Sequence, residues 1–202
     1  MAAKKKAKKG TAKKKSVAKK KSAKKTARKP APARPASTRP AAAKGSKTGG
    51  VQVGQRAPDF TLPTDGTGTV SLSDLRGKTV VLYFYPRDDT PGCTMEACSF
   101  NDNLPDFSRL NADIIGISKD SEASHAKFRG KYGLKFRLAA DTDTEVAKSY
   151  GVWIEKSLYG RKYMGMDRAT FLIDKDGVVR GVWRSVKVPG HVDAVLAAAK
   201  AL

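Results

Sequence analysis

The sequence predicts an α/β domain with a mixed central sheet flanked by helices, preceded by a disordered basic tail, and three observations predict it. Charge is segregated: residues 1–50 carry 19 Lys and Arg with no Asp or Glu, whereas residues 51–202 carry 21 basic and 19 acidic side chains. The formal charge of +21 therefore belongs to the first quarter of the chain. From Val51 onward, short apolar runs alternate with segments that allow helices, the order of elements in an α/β domain. Near the end, ATFLIDKDGVVRGVWR joins two apolar runs through Asp-Lys-Asp-Gly, the turn chemistry of a hairpin.

The tail is rich in Lys, Ala, Pro and Ser, has no aromatic residue, and offers Val17 as its only branched aliphatic. Such a segment cannot bury enough apolar surface to offset the entropy of ordering. Its lysine clusters give way to RKPAPARPASTRPAAAK before Gly49-Gly50, a flexible charged arm followed by a stiffer spacer. Two units are expected: a disordered tail over 1–50, and a domain over 51–202 that holds every aromatic residue and suits one core. No window approaches the ~18 consecutive apolar residues of a membrane span, and the first residues lack the apolar stretch of a secretory signal. A soluble, cytoplasmic protein is expected. Lysine clusters separated by alanine also differ from the Arg-rich, amphipathic pattern of organelle transit peptides.

Within the domain, APDFTLPT and TVSLSDL alternate in short segments and predict a hairpin at its entry. TVVLYFYP, residues 79–86, is continuously apolar and β-branched, as a central strand covered on both faces must be. The loop PRDDTPG leads into a helical segment from Cys93 to about Leu110, which Pro105 ends or kinks. ADIIGISKD reads as a second buried strand, SEASHAKFRGKYG as a helix with a Ser start and a Gly stop, and FRLAAD as a short strand. DTEVAKSYG is a short helix capped by Thr or Asp. After the ATFLID hairpin, PGHVDAVLAAAKAL closes the chain with an amphipathic helix. Strands alternating with helices, then a hairpin and a final helix, give the arrangement of a thioredoxin-like fold.

Two cysteines do not make a secreted disulfide framework; in a reducing compartment a nearby pair is more often catalytic or metal-binding. Neither His125 nor His191 lies near the cysteines in sequence, so a zinc site would need distant carboxylates, and no metal is expected. The same distance disfavours a histidine-activated thiol of the protease kind. Cys93 follows a buried strand at a Gly-containing loop that opens a helix. A sulfur in the first helical turn faces unpaired N–H groups and the positive end of the helix dipole, both of which favour negative charge there. A buried cysteine is ordinarily a small core residue; the surrounding PRDDTPGCT argues for chemistry instead. Thr90 can offer a hydroxyl to the same spot, and Pro86 and Pro91 can shape the loop.

Cys98 stands five residues on. In an ideal helix that spacing puts the two Cα atoms about 8.7 Å apart, and a disulfide needs less than about 7 Å. If both cysteines share a helix when reduced, the helix must unwind locally before they can bond. A Cys-x-x-Cys motif would suit dithiol exchange without unwinding; the longer gap suits a resolving thiol that attacks a sulfenic acid. Arg168, just before the strand ATFLID, is a surface charge on composition alone, but a neighbouring strand edge is also a place from which a cation reaches a thiolate.

YFYPRDDTPGCTMEACSF, GVWIEKSLYGRKYMGMDRATFLID and VKVPGHVDAVL together resemble the bacterioferritin-comigratory-protein, or peroxiredoxin Q, branch of the peroxiredoxins, over residues 51–202. The family's Pro-x-x-x-Thr-x-x-Cys motif is matched by Pro86, Thr90 and Cys93. The resemblance implies a thioredoxin-like fold and a peroxidase in which Cys93 attacks the hydroperoxide, Cys98 resolves it as an intramolecular disulfide, and thioredoxin or a similar dithiol recycles it. It implies peroxide contacts for Thr90 and, through GMDRATFLID, for Arg168. It implies no metal or organic cofactor and a monomer. Asn101 departs from the pattern, where many members carry Arg after the second Cys.

The resemblance leaves residues 1–50 unexplained; they are more similar to the lysine- and alanine-rich tails of linker histones. Nineteen unopposed positive charges predict weak, sequence-independent, salt-sensitive binding to nucleic acid. The lack of aromatics argues against stacking on single strands and for the duplex backbone, which implies nucleoid or chromatin association. Two other readings compete: a chromatin-associated protein whose domain is only a scaffold, and a general disulfide oxidoreductase, which the missing Cys-x-x-Cys disfavours.

Overall fold

The run Thr79 to Phe84 alternates its side chains between two apolar layers, and the sheet is built around it. The structure, a computed structural model, describes residues 50–66, 68–158 and 160–202. The expected disordered tail over 1–50 lies, apart from Gly50, outside the described residues. In chain order the elements are a hairpin of β1 (Thr61–Pro63) and β2 (Thr69–Ser71), then β3 (Thr79–Phe84), α1 (Pro91–Asp102), α2 (Leu104–Arg109), β4 (Ala112–Ser118) and α3 (Glu122–Tyr132). They continue with β5 (Arg137–Ala140), α4 (Glu145–Ser149), β6 (Trp153–Leu158), β7 (Arg161–Met166), β8 (Ala169–Ile173), β9 (Val179–Trp183) and α5 (His191–Lys200).

The main sheet runs β5-β4-β3-β8-β9, with β3 at its centre. β3, β4 and β5 are parallel, whereas β8 is antiparallel to both β3 and β9, so the sheet is mixed as predicted. Val80, Leu82 and Phe84 face one layer with Ile115, Ile117, Phe171, Tyr150 and the entry-hairpin residues Leu62 and Val70. Val81, Tyr83 and Tyr85 face the other, with Phe100 of α1, Phe107 of α2, Phe128 of α3 and Val195 of α5. Full burial of each such side chain contributes about 1.5–3 kcal/mol, which is why a two-sided apolar strand takes the centre. Gly116 of β4 makes this packing possible: a Cβ there would lie 2.7 Å from the Tyr83 ring, which stacks on Phe100 at 4.8 Å between centroids.

Local signals act as read, with three refinements. The helix after Cys93 is two helices broken at Asn103, and Pro105 sits in the first turn of α2, where its missing N–H costs nothing. α3 starts at Ser121, whose hydroxyl accepts from Ser124 N, and stops at left-handed Gly133 (φ 61°). Thr144 holds the cap position of α4 without a side-chain capping bond, its hydroxyl donating to the Asp143 carbonyl at 2.6 Å; the capping acceptors are Asp143, from Glu145 N at 3.3 Å, and Asp141, from Val146 N and Ala147 N at 3.2 and 2.7 Å. The hairpin of β6 and β7 was assigned no element from the sequence. Its strands pair with each other in a separate two-stranded sheet, and most of its described side chains are exposed or half-buried, so no core imposes an alternating pattern.

One register decides where the chemistry lies. Phe84, the last residue of β3, pairs with Ala169, the first of β8. The residue before β8, Arg168, is thereby held beside the loop that leaves β3 for α1.

Candidate active site

α1 begins at Pro91 with Thr90 as its N-cap residue in extended conformation, which makes Cys93 the third residue of the helix. Cys93 therefore stands in the first turn, whose backbone N–H groups have no partner within the helix, and is 2% exposed. Arg168 Nη2 donates to Cys93 Sγ at 3.2 Å. Gly92 leaves the room for it: a Cβ there would stand 3.3 Å from Arg168 Nη2. The 75 residues separating cysteine and arginine in sequence are closed by the β3–β8 pairing.

The other arm of the guanidinium, Nη1, donates to Glu96 Oε2, one turn along α1. Glu96 is fully buried, and burial, opposed by the Arg168 charge, pushes its carboxyl up to about 7. Arg168 stays charged: burial works against its charge, and Glu96 and Cys93 outweigh that and raise it. Behind Glu96 lies His191, the first residue of α5, with Nε2 4.0 Å from Glu96 Oε1 and 2.8 Å from the Thr170 hydroxyl. Burial and then the Arg168 charge push His191 down to about 4, so it is neutral at neutral pH. One guanidinium thus bridges a helix-start sulfur and a buried carboxyl.

The sequence-named residues divide by placement. Cys93 and Arg168 meet directly. Cys98 lies in the same helix, half-buried and unbonded, and burial followed by the Asp102 charge pushes its thiol up, which keeps it protonated. Thr90 faces back into its own loop, its hydroxyl donating to the Arg87 carbonyl at 3.1 Å rather than to the sulfur. Pro86 lies half-buried two residues past β3. Sequence reasoning missed Glu96, Thr170 and His191. The signal for Glu96 was an acidic residue three positions after Cys93, hence on the same buried helix face; His191 carried none, because only the tertiary fold brings α5 to α1.

Among the described residues, no cluster of three or more His, Cys, Asp or Glu could hold a metal ion. No helix among them is long and apolar enough to cross a membrane.

The AhpC/TSA family model matches residues 53–182. Peroxiredoxin Bcp of Bacillus subtilis is 49% identical over 146 residues, 72% of this chain and 93% of that protein. Among solved structures, the Xanthomonas campestris bacterioferritin comigratory protein, described for its alkyl peroxide reduction activity, is 44% identical with a TM-score of 0.68, covering 70% of this chain and 90% of that one. A Xylella fastidiosa peroxiredoxin Q is 38% identical with a TM-score of 0.72, covering 76% and 98%. With a buried cysteine at a helix start, an arginine on its sulfur and a thioredoxin-like sheet beneath both, the chain belongs to the AhpC/TSA family and, within it, to the thiol peroxidases of the Bcp/peroxiredoxin Q type.

Proposed function

We propose that Cys93 is the attacking sulfur of a hydroperoxide reductase and Cys98 its resolving partner. The Cys93 thiolate attacks the distal peroxide oxygen and the O–O bond breaks. Cys93 becomes a sulfenic acid, and the departing alkoxide or hydroxide takes a proton to leave as alcohol or water. The Cys98 thiol then attacks the sulfenic sulfur, water leaves, and the Cys93–Cys98 disulfide remains. Thioredoxin or a similar dithiol reduces it by exchange. Per cycle, one peroxide and one dithiol become an alcohol, a water and a disulfide.

The observation that carries this reading is the 3.2 Å contact between Arg168 and the Cys93 sulfur in the first turn of α1. A fixed cation at that point stabilises the thiolate and the charge that builds on the leaving oxygen. Thr90, whose hydroxyl proton is committed to Arg87, keeps its oxygen lone pairs to accept from a hydroperoxide O–H. Pro86 shapes the loop that carries Thr90 to Cys93. Residues 51–202 form the peroxidase domain, which acts as a cytoplasmic monomer without a cofactor. The test is peroxide consumption with thioredoxin, thioredoxin reductase and NADPH. Wild type turns over, Cys93→Ser does not, and Cys98→Ser loses thioredoxin-driven cycling; turnover by Cys93→Ser would overturn the assignment.

The charge distribution supports a second role, separate from catalysis. The 19 unopposed basic residues of segment 1–50 hold the enzyme on nucleic acid through its phosphates, placing peroxide removal next to DNA. The mobility of duplex DNA mixed with the full chain at low salt falls and recovers as salt is raised. Unchanged mobility would remove the tether.

A further inference from the structure

The loop PRDDTPG contains two consecutive aspartates to which the chemistry above gives no task, and both are held by α3. Asp88 is 8% exposed. Its carboxylate accepts from the Tyr85 hydroxyl at 2.8 Å and the Ser124 hydroxyl at 2.7 Å, and its two oxygens stand 2.9 and 3.1 Å from His125 Nδ1. Its backbone N–H donates to Asp120 at 2.6 Å, so both the side chain and the main chain of this residue are pinned. His125 is fully buried, and its Nε2 has no hydrogen-bond partner. The single proton of a neutral imidazole therefore belongs on Nδ1, the nitrogen that faces Asp88. Burial works to raise the Asp88 carboxyl, and the bonds from His125, Ser124 and Tyr85 outweigh it and hold it below the ordinary carboxylate range. Asp89, in the left-handed conformation at φ 55°, is tied to the other end of α3 by Lys131 at 2.7 Å and the Tyr132 hydroxyl at 2.6 Å.

We propose that Asp88 and His125 are positioning residues for the peroxide-reducing step, fixing the Pro86–Thr90 loop on α3 so that Cys93 meets Arg168. The inference rests on the roles proposed above for Cys93 and Arg168. Arg168 is set by the sheet, through the pairing of Phe84 with Ala169. Cys93 is set by the loop that starts α1, and this loop touches neither neighbour of β3 through regular pairing. The distance between sulfur and guanidinium is thus the difference between two independently supported positions, and the Asp88–His125 pair is the buried support on the loop side. A displacement of about 1 Å at a reacting centre can cost on the order of 10²-fold in rate.

The experiment follows single-turnover oxidation of the reduced full-length protein by hydrogen peroxide, alongside steady-state kinetics with thioredoxin. Asp88→Ala, checked for native far-ultraviolet circular dichroism, slows Cys93 oxidation roughly 10- to 100-fold. It also displaces the pH profile of that step, while kcat/KM for thioredoxin is unchanged. Asp88→Asn, which keeps one acceptor oxygen and so can serve either the Tyr85 or the Ser124 hydroxyl but not both, recovers part of the loss. Because His125 acts through Asp88, His125→Ala added to Asp88→Ala costs little more than Asp88→Ala alone. If Asp88→Ala does not fold, Asp88→Asn carries the test and must slow oxidation in the same direction. A folded Asp88 variant that is less stable but oxidises at the wild-type rate overturns the proposal, as does full multiplication of the two single losses. Failure of the underlying assignment is distinguishable: wild type would then show no Cys93-dependent oxidation against which a variant could differ.

Discussion

Around Cys93, one guanidinium serves two groups whose demands differ: a sulfur it donates to and a carboxyl it keeps partly ionised. A lysine in its place could reach one of them but not both, because a single ammonium lacks the planar fork. Arg168→Lys therefore slows Cys93 oxidation by roughly 10- to 100-fold, and Arg168→Ala by about as much or more, measured in single-turnover reactions with hydrogen peroxide. The neighbouring pair sets a pH signature of stability. Glu96, raised to about 7 from its ordinary 4.5, keeps a proton in the folded state that the unfolded chain has released, so its contribution falls as pH rises through that window. His191, lowered to about 4 from 6.5, refuses a proton that the unfolded chain binds, so its contribution grows as pH rises through that window. From pH 4.5 to 6.5 the two slopes, each about 1.4 kcal/mol per unit, oppose and cancel. Relative to wild type, Glu96→Gln gains stability with rising pH over the His191 window, and His191→Asn loses it over the Glu96 window. Urea midpoints taken across the pH range check both signs.

At the scale of the element, α1 is both the support of the sulfur proposed to attack peroxide and the obstacle to the disulfide proposed for it. Both cysteines lie within Pro91–Asp102, unbonded, and an ideal helix holds Cα atoms at this spacing about 8.7 Å apart, beyond the reach of about 7 Å. Oxidation of wild type by one equivalent of peroxide therefore lowers far-ultraviolet helical ellipticity and speeds amide exchange over residues 93–98. Cys98→Ser, oxidised the same way, keeps the helix. An oxidised wild type with unchanged exchange in α1 would remove the switch. The same helix explains a limit of sequence reading. Its start was legible to within two residues: the sequence opens the helix at Cys93, whereas it begins at Pro91 with Thr90 as the cap residue, because proline at a first helical position needs no N–H partner. Its end was not, because Asn103 breaks it by turning its own amide onto the Ser99 carbonyl at 2.9 Å, a choice between competing local bonds that composition does not settle.

For the whole molecule, net charge and aromatic residues are carried by different parts of the chain. Residues 51–202 have a net charge of +2 and contain all the aromatic residues, whereas segment 1–50 contains neither an acidic nor an aromatic residue. Removing residues 1–49 therefore leaves the rate of peroxide reduction within about twofold of the full chain, since every residue assigned to the chemistry lies in 51–202. It abolishes the salt-dependent retardation of duplex DNA. Kinetics and gel mobility on the two proteins, prepared side by side, check this, and a large fall in peroxidase rate would tie the segment to catalysis.

The sequence alone determined the alternation of strands and helices, the two-sided burial of β3, the caps of α3 and the ATFLID hairpin, because each depends on residues within about ten positions of one another; it also nominated Cys93, Cys98, Thr90 and Pro86 for the chemistry proposed here. It left the β6–β7 hairpin unread, since strands that pair only with each other owe no pattern to a core. Tertiary structure decided what long-range register decides: that Phe84 faces Ala169 and so delivers Arg168 to the sulfur, and that α5 brings His191 behind Glu96. It also decided that α3 closes on Asp88 and Asp89. Periodicity fixes which face of an element is buried, but the partner waiting on that face is chosen by the fold as a whole.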